Sequence, residues 1–164
     1  GALAAVEQLQ TLRLDFSDCG AGALVGLDAL GRLKMLKECD LKYNRSGIRD
    51  LSALGSGLAG MEQLQCLKLD FSQCRSLLAL VGFDALGRLT VLRDCSMEFY
   101  RSGVEDVSAL GSGLGGMEQL QRLKLDFSSC GALQALVGFG ALGGLKMLKD
   151  CSIKFRGSGI EDVS

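Results

Sequence analysis

The chain has 164 residues, room for one domain with a sizeable core, and 48 % hydrophobic against 23 % charged residues argues against disorder. Eighteen basic and 19 acidic residues leave a net charge of −1, which supplies no electrostatic case for nucleic acid or acidic lipid. Histidine is absent, which excludes Ser-His-Asp and Cys-His nucleophile systems, His-containing metal sites and His pH switches.

The sequence repeats itself. Val6-Glu7-Gln8-Leu9-Gln10 returns as Met61-Glu62-Gln63-Leu64-Gln65 and again as Met117-Glu118-Gln119-Leu120-Gln121. Each of these long modules splits in two, because Leu9, Leu36, Leu64, Leu92, Leu120 and Leu148 recur with a period of about 28 residues. Six coils follow, grouped as three modules (1–52, 53–108 and 109–164). Each coil opens with a strand pattern, Leu64-x-x-Leu67-x-Leu69-x-Phe71 in one type and Leu92-x-x-Cys95-x-Met97-x-Phe99 in the other. Apolar residues at every second place predict a strand buried on one face. After the strand, the first coil type carries Leu77, Leu80, Val81, Leu86 and Leu89 at helical spacing, interrupted by Gly82 and Gly87. The second type carries Val104, Val107, Leu110, Leu114, Met117 and Leu120, one stripe of a helix. Ser102-Gly-Val-Glu105 and Ser158-Gly-Ile-Glu161 have the spacing of capping boxes before that helix.

Leu64-x-x-Leu67-x-Leu69-x-x-Ser72-x-Cys74 resembles the leucine-rich-repeat signature, and the alternation of two coil types is most similar to the ribonuclease-inhibitor-like subfamily. The resemblance covers essentially the whole chain. It implies an α/β solenoid, with a parallel sheet on the concave face, helices on the convex face and a binding role of unspecified partner. The position that holds Asn or Cys in that signature is Ser17, Ser72 and Ser128 in one coil type, and Asn44, Tyr100 and Arg156 in the other, so the side-chain ladder of the turn is altered. One place earlier every coil has an aromatic: Phe16, Tyr43, Phe71, Phe99, Phe127 and Phe155. Strand parity points them inward, predicting a buried aromatic spine with neighbours about 4.8 Å apart.

Gly55-Ser-Gly57-Leu-Ala-Gly60 and Gly111-Ser-Gly113-Leu-Gly-Gly116 match the G-x-G-x-x-G pattern of dinucleotide sites, but lie inside the helical stripe rather than just after a strand. They read as small residues that let neighbouring elements pack closely. The seven cysteines form no Cys-x-x-Cys pair. Cys39, Cys95 and Cys151, like Cys19, Cys74 and Cys130, stand two coils apart, about 10 Å, beyond disulfide reach. They read as buried thiols behaving as small hydrophobes, with Cys66 alone outward and modifiable. Unpaired thiols suggest an intracellular, reducing compartment, although a removed targeting sequence stays compatible with the chain. Asn44-Arg45-Ser46 matches a glycosylation acceptor and reads as coincidence.

The outward strand positions form three columns: Thr11, Glu38, Cys66, Asp94, Arg122, Asp150; Arg13, Asp40, Lys68, Ser96, Lys124, Ser152; and Asp15, Lys42, Asp70, Glu98, Asp126, Lys154. Opposite charges stand beside one another in Arg13–Asp40–Lys68 and Asp15–Lys42–Asp70, so much of the face is expected to neutralise itself. Candidate protein-binding residues there are Arg13, Asp15, Lys42, Lys68, Asp70, Glu98, Lys124, Asp126 and Lys154, with Tyr100 at the rim. No aromatic anchor stands in the columns, and no acid–base or nucleophile set converges, so no enzymatic activity is expected. Neither a metal, a cofactor, a small-molecule substrate nor a membrane-inserting segment is indicated. Neither end reads as a polar capping coil: Gly1-Ala2-Leu3 falls inside a helical return, and the chain stops at Glu161-Asp162-Val163-Ser164, where the preceding modules continue with Ala-Leu-Gly-Ser-Gly-Leu. The expectation is a non-catalytic scaffold or protein-interaction segment in a longer array or large assembly. The alternative is a module gripping one protein through its concave face.

Overall fold

A computed structural model describes residues 6, 8–20 and 25–160. Six strands form one parallel sheet in the order of the chain. They are β1 (Thr11–Asp15), β2 (Glu38–Lys42), β3 (Cys66–Asp70), β4 (Asp94–Glu98), β5 (Arg122–Asp126) and β6 (Asp150–Lys154). The register is uniform: Thr11, Glu38, Cys66, Asp94, Arg122 and Asp150 are successive partners, and the other two outward columns follow. Among the described residues, two α-helices, α1 (Ser52–Ala59) and α2 (Ser108–Leu114), alternate on the return path with three 3-10 helices, η1 (Leu27–Arg32), η2 (Phe83–Arg88) and η3 (Phe139–Gly144). Parallel neighbours joined by regular return segments make this an α/β solenoid, the architecture that the leucine-rich-repeat resemblance implies.

Two helical expectations are corrected. The first coil type folds into a six-residue 3-10 helix rather than an α-helix, and Val81, assigned to its buried stripe, is exposed. Each 3-10 helix begins after a glycine with positive φ, +84° at Gly26, +93° at Gly82 and +88° at Gly138, a conformation that excludes a continuous α-helix through that point. In the second type the stripe is buried as predicted, yet only Ser108–Leu114 is helical, with Val104, Met117 and Leu120 packed from the flanking turns. The Ser102–Glu105 capping box does not form. Ser102 is buried in the turn well before the helix, and Asp106 Oδ1 accepts the Ser108 N–H at 2.8 Å, as Asp50 does from Ser52 at 2.7 Å. Glu161, in the second expected box, lies outside the described residues, as do Gly1–Leu3 and the final segment 161–164.

The G-x-G-x-x-G glycines are packing seams. A Cβ at Gly57 would stand 2.3 Å from the Leu27 carbonyl oxygen, and one at Gly113 2.1 Å from that of Phe83. On the opposite side, a Cβ at Gly55 would stand 2.2 Å from the Gly82 carbonyl oxygen. Each α-helix is thus pressed between the 3-10 segments of both neighbouring coils, with no room for a side chain.

The aromatic spine is present. Successive rings from Phe16 to Phe127 stack with centroids 5.2, 5.1, 5.5 and 5.0 Å apart, and Phe155 follows at 6.3 Å. Tyr43, Phe71, Phe99 and Phe127 are fully buried. Phe83 and Phe139, opening η2 and η3, tilt against Phe71 and Phe127.

Backbone and thiols brace the turn that lacks the usual side-chain ladder. The N–H groups of Asp18, Arg45, Gln73, Arg101 and Ser129 donate to the carbonyls of Asn44, Ser72, Tyr100, Ser128 and Arg156 in the next coil, at 2.7–3.0 Å. Those five donors have φ between +55° and +61°. Behind them the Cys74 thiol donates to the Tyr43 carbonyl and that of Cys130 to the Phe99 carbonyl, both at 2.9 Å, with the Ser46 and Ser102 hydroxyls 3.5 and 3.4 Å from the sulfurs. These cysteines are therefore hydrogen-bonding parts of the turn and not merely small hydrophobes. Ser46 is buried, which places the third residue of the Asn44 acceptor sequence inside this turn.

Candidate protein-binding surfaces

The period-two strand pattern places Arg13, Asp15, Lys42, Lys68, Asp70, Glu98, Lys124, Asp126 and Lys154 together on the strand face, in the expected columns. The expected neutralisation takes a different form. Among the described residues, Arg13–Asp40–Lys68 and Asp15–Lys42–Asp70 are register neighbours without contact ion pairs. The cross-strand pairs that close are Asp94 with Arg122, and Asp126 with Lys154 at 3.7 Å. Asp15 and Asp70 instead accept the backbone N–H of the serine two residues on, at 2.9 and 2.8 Å, and Asp126 accepts that of Ser128 through Oδ1 at 2.8 Å while its Oδ2 faces Lys154. Hydrogen bonds from the Ser17 side chain and backbone hold the Asp15 carboxyl below the usual carboxylate range. A strand-end Asp satisfies its own turn before it reaches a neighbour because that bond needs no long side chain to be ordered.

One column breaks the pairing rule. Glu98 lies in register between Asp70 and Asp126, three acids on adjacent strands. Partial burial, then the charges of Asp70 and Asp126, push the Glu98 carboxyl above its ordinary value. Lys42, Lys68 and Lys124 are exposed on the same face and make no ion pair within 4.0 Å among the described residues. Tyr100 reaches the rim, where the Arg101 guanidinium stacks 5.1 Å from its ring centre.

Cys66 is half-buried rather than open, and burial raises its thiol pKa. It is the poorer nucleophile for that reason. Cys151, expected inside, is the exposed thiol and lies on β6, the last strand of the sheet. Burial pushes Cys39 and Cys95 up to about 12. Among the described residues, no group of three or more Cys, Asp or Glu side chains is placed to hold a metal ion.

Apolar side chains emerge away from the strand face, which the strand and helix periodicities did not reveal. Val25, Val81 and Val137 stand just before Gly26, Gly82 and Gly138, and Met35, Val91 and Met147 just before the strands of the second coil type. Their signal was the recurrence of an apolar residue at fixed coil positions, with Val81 taken for part of the helical stripe.

No family model and no curated protein matches the sequence. Among solved structures, the plant peptide hormone receptor RGFR1 in complex with RGF2 is similar at a TM-score of 0.46 and 15 % identity, over 90 % of this chain and 24 % of the receptor. The chain therefore spans about a quarter of that receptor's length. Internalin C2 from Listeria monocytogenes is similar at a TM-score of 0.38 and 18 % identity, over 98 % of this chain and 77 % of the internalin. The solenoid architecture stands on the six in-register strands and the coil period.

Proposed function

We propose that the chain is a non-catalytic leucine-rich-repeat scaffold that binds other proteins within a larger protein or assembly. The observation that supports this reading is the distribution of exposed apolar residues. They recur coil after coil on the edge and return path, whereas the strand columns offer no aromatic or aliphatic anchor of the kind interfaces favour. The alternation of two coil types supports a ribonuclease-inhibitor-like organisation, and seven free thiols support a reducing compartment. The test is the native mass of the protein in its source material, with cross-linking of whatever co-migrates. A large complex cross-linked outside the strand columns is the expected result; a monodisperse 17.3 kDa species without partners would count against the scaffold.

A second reading, a module gripping one protein through the concave face, is favoured by Lys42, Lys68 and Lys124, which share that face with Glu98 and make no ion pair among the described residues. Reversing charge at Lys68, Asp70, Lys124 and Asp126 would then abolish binding, and unchanged affinity would exclude it.

A further inference from the structure

Charge on this nearly neutral chain is unevenly placed. Just before the strands the backbone forms a separate ladder, in which Lys37, Gln65, Arg93, Gln121 and Lys149 each donate to the equivalent residue of the preceding coil at 2.8–2.9 Å. Successive coils are thereby held in line along one edge of the sheet. Onto that edge the second-type coils bring Lys34 and Lys37, Arg93, and Lys146 and Lys149, all exposed. Arg32 and Arg88, at the ends of η1 and η2, add to the row. Two acids interrupt it, Glu62 and Glu118. Glu62 is already bound by Lys34 at 2.9 Å, which with the nearby Arg88 lowers its pKa. On the strand-face side the row is flanked by Glu38, Asp94 and Asp150, of which Asp94 is held by Arg122.

Apolar tips stand within the basic row. Met35, Val91 and Met147 occupy the same coil position and are 41 %, 38 % and 40 % exposed, while Gln63 and Gln119 take that position between them. The apolar residues therefore recur every second coil, about 10 Å apart at the strand spacing. Seven residues of α-helix rise about 10.5 Å. We propose that this edge docks an acidic amphipathic α-helix of a partner protein, with apolar residues every seven positions seated on Met35, Val91 and Met147 and carboxylates reaching the flanking lysines and arginines. The proposal rests on the protein-interaction reading above and adds to it the surface and the chemistry of the partner. A helix fits better than an anionic bilayer because Glu62 and Glu118 return in every second coil. A uniformly charged plane meets those acids, whereas a heptad-periodic partner places neutral residues over them.

The test uses the full chain and a capped 21-residue helical peptide with leucine at every seventh position and glutamates beside it, titrated calorimetrically at low and high salt. Binding that weakens with salt is expected. A peptide of the same composition with leucine at every fifth position should bind about tenfold or more weakly, and so should the Lys37→Glu/Arg93→Glu/Lys149→Glu variant, whose melting temperature should be unchanged because those side chains are exposed. Met35→Ser/Val91→Ser/Met147→Ser serves as an independent second variant with the same expected loss. Equal affinity for the two peptides, or unaltered binding by both variants, would overturn the proposal. Phosphatidylserine vesicles that capture the chain and displace the peptide without regard to its register would overturn it in favour of a membrane surface. Cross-links from a native complex that avoid this edge would remove the edge assignment while leaving the scaffold reading in place.

Discussion

The two coil types perform the same topological task with different return segments. The second type returns through an α-helix, the first through a 3-10 helix of six residues. The difference follows from spacing. Strands in one sheet lie about 4.8 Å apart, whereas α-helices pack with axes about 8–10 Å apart. A helix in every second coil meets that distance, and a slimmer 3-10 segment fills the coil between. Even so, the fit closes only where the helix has no side chain, and this places Gly55 and Gly57 of α1, and Gly111 and Gly113 of α2, against backbone. Alternation of coil type is therefore a packing solution, and the same solution accounts for a glycine pattern that mimics a nucleotide motif.

The largest effect should come from the element both coil types share. Phe127 is fully buried and stacked between Phe99 and Phe155, so Phe127→Ala should cost about 3–5 kcal/mol in urea unfolding. A loss below about 1 kcal/mol would mean that the spine does not carry the core. The comparison of return segments is broken most directly by Gly113→Ala, whose Cβ meets the Phe83 carbonyl oxygen at 2.1 Å; about 3 kcal/mol is expected from overpacking against backbone. Gly140→Ala, in the 3-10 helix of a first-type coil, has nothing within 4 Å and should be neutral or stabilising. Equal costs at the two sites would refute the seam.

Between coil types, the thiol bond of Cys130 to the Phe99 carbonyl can be removed by Cys130→Ala, which also strips the Ser102 hydroxyl of its neighbour. A loss of about 1–2 kcal/mol in thermal or urea unfolding is expected. Tyr43→Phe should act in the other direction. Its hydroxyl is buried without a hydrogen-bond partner among the described residues, at a spine position that is phenylalanine in every other coil. Removing it should stabilise by about 1 kcal/mol, read as a raised urea midpoint.

Much of this was legible in the sequence, for physical reasons that also mark where legibility stops. A period of two fixes which strand residues face outward, so the columns through Lys68 and Asp70 follow from parity, and a constant coil length then fixes which residues are neighbours. The spine follows from the same two facts. The return segments were harder, because five apolar residues over Leu77–Leu89 do not distinguish a 3-10 from an α-helix. Hydrogen bonding by Cys74 and Cys130 leaves no trace in composition. At the candidate surface, register placed Lys42 beside Asp15 and Asp70 but could not reveal that Ser17 and Ser72 had already claimed those carboxylates. The local Asp-x-Ser spacing was the available signal. The basic edge was hidden by a net charge of −1, a sum that says nothing about where charges lie.

Glu98 offers the smallest and sharpest test of the strand face. Its register neighbours Asp70 and Asp126 repel it, and partial burial penalises its charge, so its folded-state pKa lies above the unfolded value near 4.5. The folded state then binds the proton more tightly than the unfolded chain. Ionisation of Glu98 therefore weakens the fold, fully so above the folded pKa and not at all well below 4.5. Glu98→Gln should stabilise by about 0.2–1 kcal/mol at pH 7, the size of a like-charge cross-strand contact, and the gain should vanish near pH 3. Urea midpoints of the two proteins at the two pH values measure it directly. A gain that persists at low pH would trace to packing rather than charge. A loss at pH 7 would mean that a cation already neutralises the triad, with Lys154, 3.7 Å from Asp126, the candidate on the same face. Charge reversal of that lysine would then reverse the sign again, so the strand face can be decided on stability alone.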